Sequence, residues 1–308
     1  MWLVVFLVLY NLCNEVFGQS DMTDGPIIGI LTTPVTEKFR SVCNNYTEVI
    51  EGKNAHFIEG GGGRLFPISF KWSEERIHEE LLKVNGIFLP DSDINILNYT
   101  QTVSTLIEFA KAFNDKGVYF PIWATARGFE LLMTVESNNE LLIELCNDCR
   151  DYTENLVYTA TKGKLFEMLS NEQKRALEKD NVVYFDHEYS ITETKFEANF
   201  DLNMKYDVVA YTKRNKDNEL IVAAVQAKHY PFYGVQYNPG SWNYEWNKSK
   251  VVKTIDTMLL GHSFSNFFVN ECKKNGHKFN SYIDELASII ERYPYIYSKQ
   301  HGHLYLFK

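Results

Sequence analysis

Residues Val118 to Met133 constrain the fold of this chain more than any other stretch. An apolar, aromatic run, Val118 to Trp123, passes through small residues directly into the helical spacing of Phe129-Glu130-Leu131-Leu132-Met133. Between them stands Ala124-Thr125-Ala126-Arg127-Gly128. A buried strand that turns so abruptly into a helix pushes the side chain at its tip toward an open cleft, above the first amides of the helix. Such a tip ordinarily carries Ser or Cys as a nucleophile. Here it carries Ala126, and a methyl group attacks nothing.

The segments on either side supply a sheet for that strand. Pro26 to Leu31 reads as a short buried strand, and residues 46–58 as a helix. The run Gly60 to Gly63 reads as the turn that ends this helix, because no Lys-Ser/Thr follows to make a phosphate loop. Arg64 to Ile68 is then a strand. Ser73 is placed to cap a helix, Gly86 to Pro90 is a third strand, and 101–113 is a helix with Val103, Leu106, Ile107 and Ala110 on one face. Strand and helix in alternation predict a parallel sheet with right-handed crossovers. Beyond the elbow, 185–192, 207–213, 220–228 and 230–236 read as strands and 248–273 as the last long helix. Residues 137–160 carry no clear period, and the aromatic tail is expected to pack on the body. No internal repeat or linker divides residues 19–308, which read as one domain.

With 308 residues, 45% apolar and 15% aromatic, the chain can bury a large core. Its net charge of −9 and lack of a Lys/Arg block argue against nucleic acid as a partner. Residues 1–18, apolar and ending Val16-Phe17-Gly18, read as a signal peptide whose apolar part is too short to span a bilayer. The expectation is an exported or lysosomal protein with no membrane association once the signal is removed. Sequons at Asn45, Asn98 and Asn247 agree with that route. Cys43, Cys146, Cys149 and Cys272 remain after the signal and allow three pairings of two disulfides. The Cys146-Asn147-Asp148-Cys149 spacing fits a loop disulfide, or two cysteines with different partners, better than a metal site that lacks further ligands.

The order of these pieces resembles the γ-glutamyl hydrolase family of the class I glutamine amidotransferase-like superfamily. The likeness covers nearly all of residues 19–308. Its carriers are Pro26 to Leu31, Asn85 to Pro90, Tyr119 to Trp123, Gly128-Phe129-Glu130, Tyr230 to Gln236, Tyr244-Glu245-Trp246 and Phe267 to Glu271. The resemblance implies a three-layer α/β sandwich whose mostly parallel central sheet is flanked by helices, in the flavodoxin-like manner. It implies cleavage of γ-linked glutamates by a cysteine, a histidine base and an orienting glutamate, with no cofactor or metal. The family's Gly-Thr-Cys turn is Ala124-Thr125-Ala126 here. Its His-Pro-Glu is Asn238-Pro239-Gly240, so the base position holds an amide and the acid position nothing. Its Pro-Gly-Gly turn beside the oxyanion is Pro90-Asp91-Ser92, followed by Asp93.

A retained His187 matches a histidine near the family's cleft. Removing a nucleophile or its base alone costs on the order of 10⁶ in turnover. The expected protein is therefore a pseudoenzyme that retains at most binding of a small glutamyl or other anionic ligand, or an interaction role. An active hydrolase with relocated chemistry, and an exported interaction or storage protein, are the competing readings. Arg127 has three outcomes open to it: holding a ligand carboxylate in the cleft, plugging the cleft by pairing with Asp91 or Asp93, or lying on the surface. His187 is read as either structural or ligand-binding, and Tyr244 as part of a lid with a chance of ligand contact. A homodimer stays open.

Overall fold

The computed structural model describes residues 25–92, 97–138, 142–161, 163–214 and 219–308. The leader 1–18, Asp93 and the Asn98 side chain lie outside the described residues. Eight strands form the large sheet: β1 (Ile27–Leu31), β2 (Arg64–Ile68), β3 (Ile87–Leu89), β4 (Ile122–Thr125), β5 (Leu156–Tyr158), β6 (Tyr206–Lys213), β7 (Leu220–Ala227) and β8 (Phe232–Val235). Their order across the sheet is β2-β1-β3-β4-β8-β7-β6-β5. The first five are parallel, and the last three add antiparallel. The sheet is thus mostly parallel and flanked by helices, as expected.

The central strands are buried on both faces, which is why they read as continuous apolar runs. Their side chains still alternate. Ile28, Ile30, Phe88 and Trp123 join the core under the helices Gly52–Gly60 and Ile255–Cys272. Ile87, Leu89, Ile122 and Ala124 join the opposite core, with apolar residues of helices Glu74–Leu81, Leu97–Asp115 and Arg127–Ser137. Ser73 caps the first of these as expected, its side chain accepting from the Arg76 amide.

Three expectations change. Residues 46–58 are not one helix: Glu48–Glu51 is a strand, and the helix runs Gly52–Gly60. The reason is long-range, since Glu48–Glu51 pairs antiparallel with the C-terminal strand Gly302–Phe307, which supplies ladder bonds no local pattern reveals. The 185–192 strand is two short ones, Val183–Phe185 and Tyr189–Ser190, with His187 in the loop between. The last long helix begins only at Ile255, where Thr254 and Thr257 form a reciprocal cap. The aromatic tail does pack on the body, through Tyr295–Ser298 and Gly302–Phe307.

Cys146 and Cys149 form the loop disulfide, while Cys43 and Cys272 are buried free thiols. Only one of the two disulfides the count allows is therefore made.

Between β4 and the helix Arg127–Ser137 the backbone turns at Ala126 with φ 45° and ψ −113°. A side chain at positive φ is sterically costly, and strain of this kind collects at functional turns. The elbow is therefore present in its strained form although its tip is inert. Gly128 lets the helix lie directly on the end of β3, since a Cβ there would collide with the carbonyls of Leu89 and Pro90. Gly128→Ala is expected to cost about 3 kcal/mol, seen as a lower urea midpoint with an unchanged slope.

Candidate functional site

The strand order reverses between β1 and β3, and the crevice outside the carboxyl ends of the strands at such a point is where open α/β sheets place their ligands. A cleft of about 1390 Å³ lies at this end of the molecule, and its lining includes Asp91, Ser92, Arg127, Glu130, His187 and Tyr244. Ala126, Asn238 and Gly240 are buried and are not part of that lining.

At the nucleophile position Ala126 is 4% exposed and offers only its methyl. At the base position the Asn238 amide is used at both ends. Its Nδ2 donates to Asn54 Oδ1 at 2.9 Å, and its Oδ1 accepts from the Gly240 amide at 3.0 Å. Asn54 in turn donates to the Asp91 carbonyl at 3.3 Å. An amide ladder thus ties the turn after β8, through the helix Gly52–Gly60, to the turn after β3. At the acid position a Cβ on Gly240 would lie 2.9 Å from the Lys53 carbonyl and 3.1 Å from Phe57 Cβ. A side chain at position 240 would have to displace the neighbouring backbone.

Lys53, which sequence reasoning did not single out, sits at the centre of the wall. Its Nζ is 3.3 Å from Asp91 and 3.4 Å from Glu245. Burial by itself would depress this ammonium, but Glu245, Glu51 and Asp91 outweigh it and hold its pKa well above the ordinary lysine value. Glu245 also accepts from Ser241 Oγ at 2.6 Å. Along the chain Glu245 reads as lid packing within Tyr244-Glu245-Trp246, with ligand contact as the lesser chance; its charge between two aromatic residues was the signal available in the sequence.

Arg127 is not on the surface. It is 9% exposed, its Nη1 donates to Glu130 Oε2 at 2.7 Å, and its guanidinium lies 5.0 Å from the centre of the Tyr189 ring. Glu130 Oε1 accepts from Gln236 at 2.9 Å. Burial raises the Glu130 carboxyl to about 7 despite Arg127 and Gln236, which both favour its ionised form. The pairing with Asp93 lies outside the described residues, and Asp91 has Lys53 as a partner. Lys53 is thus a cation at Asp91, one of the two partners considered for Arg127 in the plugged outcome.

His187 is 4% exposed, and its Nδ1 lies 2.7 Å from the Tyr189 carbonyl, to which it donates. Its Nε2 is a buried acceptor with no hydrogen-bond partner among the described residues. Burial pulls the imidazole down to about 4, so it is neutral at physiological pH. A depressed pKa means that the native state binds fewer protons than the unfolded chain between about 4 and the ordinary value of 6.5. The associated stability is full above 6.5 and is lost as pH falls through 4. His187→Gln is expected to remove about 3 kcal/mol of that pH dependence, measured by urea unfolding at pH 4.5 and 7.

Tyr244 is half-buried and lines the cleft. Of the sequons, Asn45 and Asn247 are exposed. Among the described residues, no helix is long and apolar enough to cross a membrane. The only metal-like grouping among them is Cys146, Asp148 and Cys149, whose sulfurs are already bonded to each other.

The strand order, the strained elbow and the cleft at the carboxyl ends of the sheet define a class I glutamine amidotransferase-like fold. A solved structure from Thermoplasma acidophilum, described as that of a candidate GMP synthase component, shares that fold with a TM-score of 0.51 and 12% identity, over 81% of this chain and 95% of that one. No protein-family model matches the chain. Its curated homologues are gamma-glutamyl hydrolases, at 24–29% identity over most of its length. Gamma-glutamyl hydrolase B of Dictyostelium discoideum is 26% identical over 97% of this chain and 87% of its own. The Homo sapiens gamma-glutamyl hydrolase is 27% identical over 91% and 88%. Gamma-glutamyl hydrolase 2 of Arabidopsis thaliana is 29% identical over 81% and 73%.

Proposed function

We propose that this protein is an exported pseudoenzyme of the gamma-glutamyl hydrolase type, with the fold and cleft kept and hydrolysis lost. The observation that carries the reading is the pairing of Asn238. The group at the base position spends its amide on Asn54 and on the Gly240 backbone, opposite an elbow tip that ends in a methyl. Covalent acyl transfer needs a nucleophile in hydrogen-bond reach of a base. Neither member is present, and the ladder that replaced them holds the wall together.

The cleft's remaining work is recognition of a small anionic ligand, of which a glutamyl group is the first to test. Arg127 on its lining supports this, and the acceptor at His187 Nε2 suits an N–H of a glutamyl group rather than its carboxylate. The apolar leader and the exposed sequons at Asn45 and Asn247 support export. The deciding experiment incubates the purified protein with a γ-linked polyglutamate and measures released glutamate, with calorimetry of the same peptide alongside. Heat of binding without release is the expected result. Turnover like that of an intact relative overturns the loss of hydrolysis, and a flat titration overturns the ligand.

A further inference from the structure

One of the sequons stands on the rim of the cleft. Asn247 and Gln300 both line the cleft, and both are exposed. Asn247 Nδ2 donates to the Gln300 carbonyl at 2.8 Å. That bond joins the loop after Tyr244-Glu245-Trp246 to the turn between the strands Tyr295–Ser298 and Gly302–Phe307. The same two segments carry exposed aromatic side chains on the lining, Trp246 at 70% and Tyr297 at 80%. The Trp246 ring is held in place by Lys253, whose Nζ lies 4.4 Å from the ring centre and donates to the Ser241 and Trp242 carbonyls at 2.7 and 2.8 Å. Asn45, by contrast, is exposed but lies off the lining.

An asparagine amide has two N–H groups, and attachment of a sugar uses one of them. Asn247 Nδ2 bonds to the anomeric carbon of a sugar carried on a polyprenyl diphosphate. The anomeric C–O bond breaks, the diphosphate leaves with its electron pair, and the Nδ2 proton passes to a base of the transferring enzyme. Ser249 completes the acceptor sequence Asn247-Lys248-Ser249. One N–H stays on Nδ2, so a donor for the Gln300 carbonyl remains after the transfer. A substituent on Nδ2 therefore starts between two residues of the rim.

We propose that Asn247 bears an N-linked glycan that screens the mouth of the cleft, leaving entry to small solutes and barring macromolecules. A glycan is bulky and hydrated, and here its root is set at the rim by the bond to Gln300. Exposed Trp and Tyr rings otherwise serve as anchors for protein partners. Screened by sugar, the rim around Trp246 and Tyr297 no longer offers them, and the cleft is left to a small molecule. The inference rests on the export reading above, because the sugar donor is met in the secretory lumen. It holds whether or not the elbow is inert.

The whole chain tests it, expressed with its own leader in a eukaryotic host and recovered from the medium. Mass spectrometry of glycopeptides should find Asn247 occupied. Ser249→Ala removes the acceptor sequence but leaves Asn247 and its bond to Gln300, so a change reports the glycan and not the bond. Lys299, exposed on the same rim, is the reporter, and Lys116, exposed and off the lining, is the control. The succinimidyl ester of acetic acid should acylate Lys299 at the same rate in both proteins. The same ester bearing a long polyethylene glycol chain should acylate Lys299 about tenfold more slowly in the glycosylated protein than in the variant, as a bulky group on the rim would give. Lys116 should react alike in both.

If Ser249→Ala is not secreted, trimming the wild-type glycan to its first sugar with an endoglycosidase supplies the comparison. Sugar on Asn45 with Asn247 bare overturns this inference and leaves export intact. A chain that stays inside the cell with no glycan overturns both. Equal labelling of Lys299 by the polymer ester in the two proteins overturns the screen.

Discussion

Ala126→Cys is expected to give a reactive thiol and no hydrolase. The new sulfur would stand at the N-terminus of the helix Arg127–Ser137, an influence that lowers a thiol pKa. Alkylation by iodoacetamide at pH 7 should therefore be faster than for free cysteine. Release of glutamate from a γ-linked peptide should remain at background, on the order of 10⁶ below an intact relative. The base position would still be an amide, and Asn238 would still be bonded to Asn54 and to the Gly240 backbone. Adding Asn238→His and Gly240→Glu should not complete the repair. A side chain at 240 meets the Lys53 carbonyl, and the ladder through Asn54 loses its partner. Glutamate release by the single Ala126→Cys variant would show that another group already serves as base, and would sink the pseudoenzyme reading.

The second large effect is on stability. Lys53→Met should destabilise the protein by roughly 3 kcal/mol at pH 7, because it leaves two poorly exposed carboxylates, Asp91 and Glu245, without their shared cation. The loss should shrink as pH falls. Burial raises the Glu245 carboxyl, but Lys53 and Ser241 more than offset this and hold it below the ordinary glutamate value. The stability it contributes is present above that value and is lost as pH drops through the folded one. The double variant Lys53→Met with Glu245→Gln should recover part of the loss, since one of the stranded charges is gone. Urea unfolding at pH 7 and pH 4.5 checks each point. An unaltered midpoint for the single variant at pH 7 would show that the ion pairs contribute nothing net.

The two effects come from adjacent residues, Lys53 and Asn54, of one helix. Where a hydrolase of this class needs a polar, mobile proton acceptor, this chain has a fixed ladder of amides and, beside it, a three-member ion cluster. Buried polar groups are costly unless paired, and Asp91, Glu245 and Asn238 each have a partner from the same helix. Lys53 and Asn54, adjacent in the first turn of one helix, supply them.

Most of the fold was legible along the chain. The strand-to-helix break at Ala126, the glycine run closing a helix before β2, and the Ser73 cap are local features. Each follows from steric limits on a few consecutive residues. The methyl at the elbow tip was equally plain, because one residue name decides it. Glu48–Glu51 reads as helix in the sequence because its strand character comes from pairing with the distant Gly302–Phe307.

The identity and spacing of residues by themselves determined the mostly parallel sheet, the elbow and the inert tip, since these depend on short-range sterics and apolar period. The tertiary structure alone decided that Lys53 reaches Glu245, 192 positions away, and that His56 meets His303, 247 positions away. It also turned Arg127 inward onto Glu130 and joined Cys146 to Cys149. No local pattern encodes such contacts, because the partners of a buried charge are set by which surfaces the fold presses together.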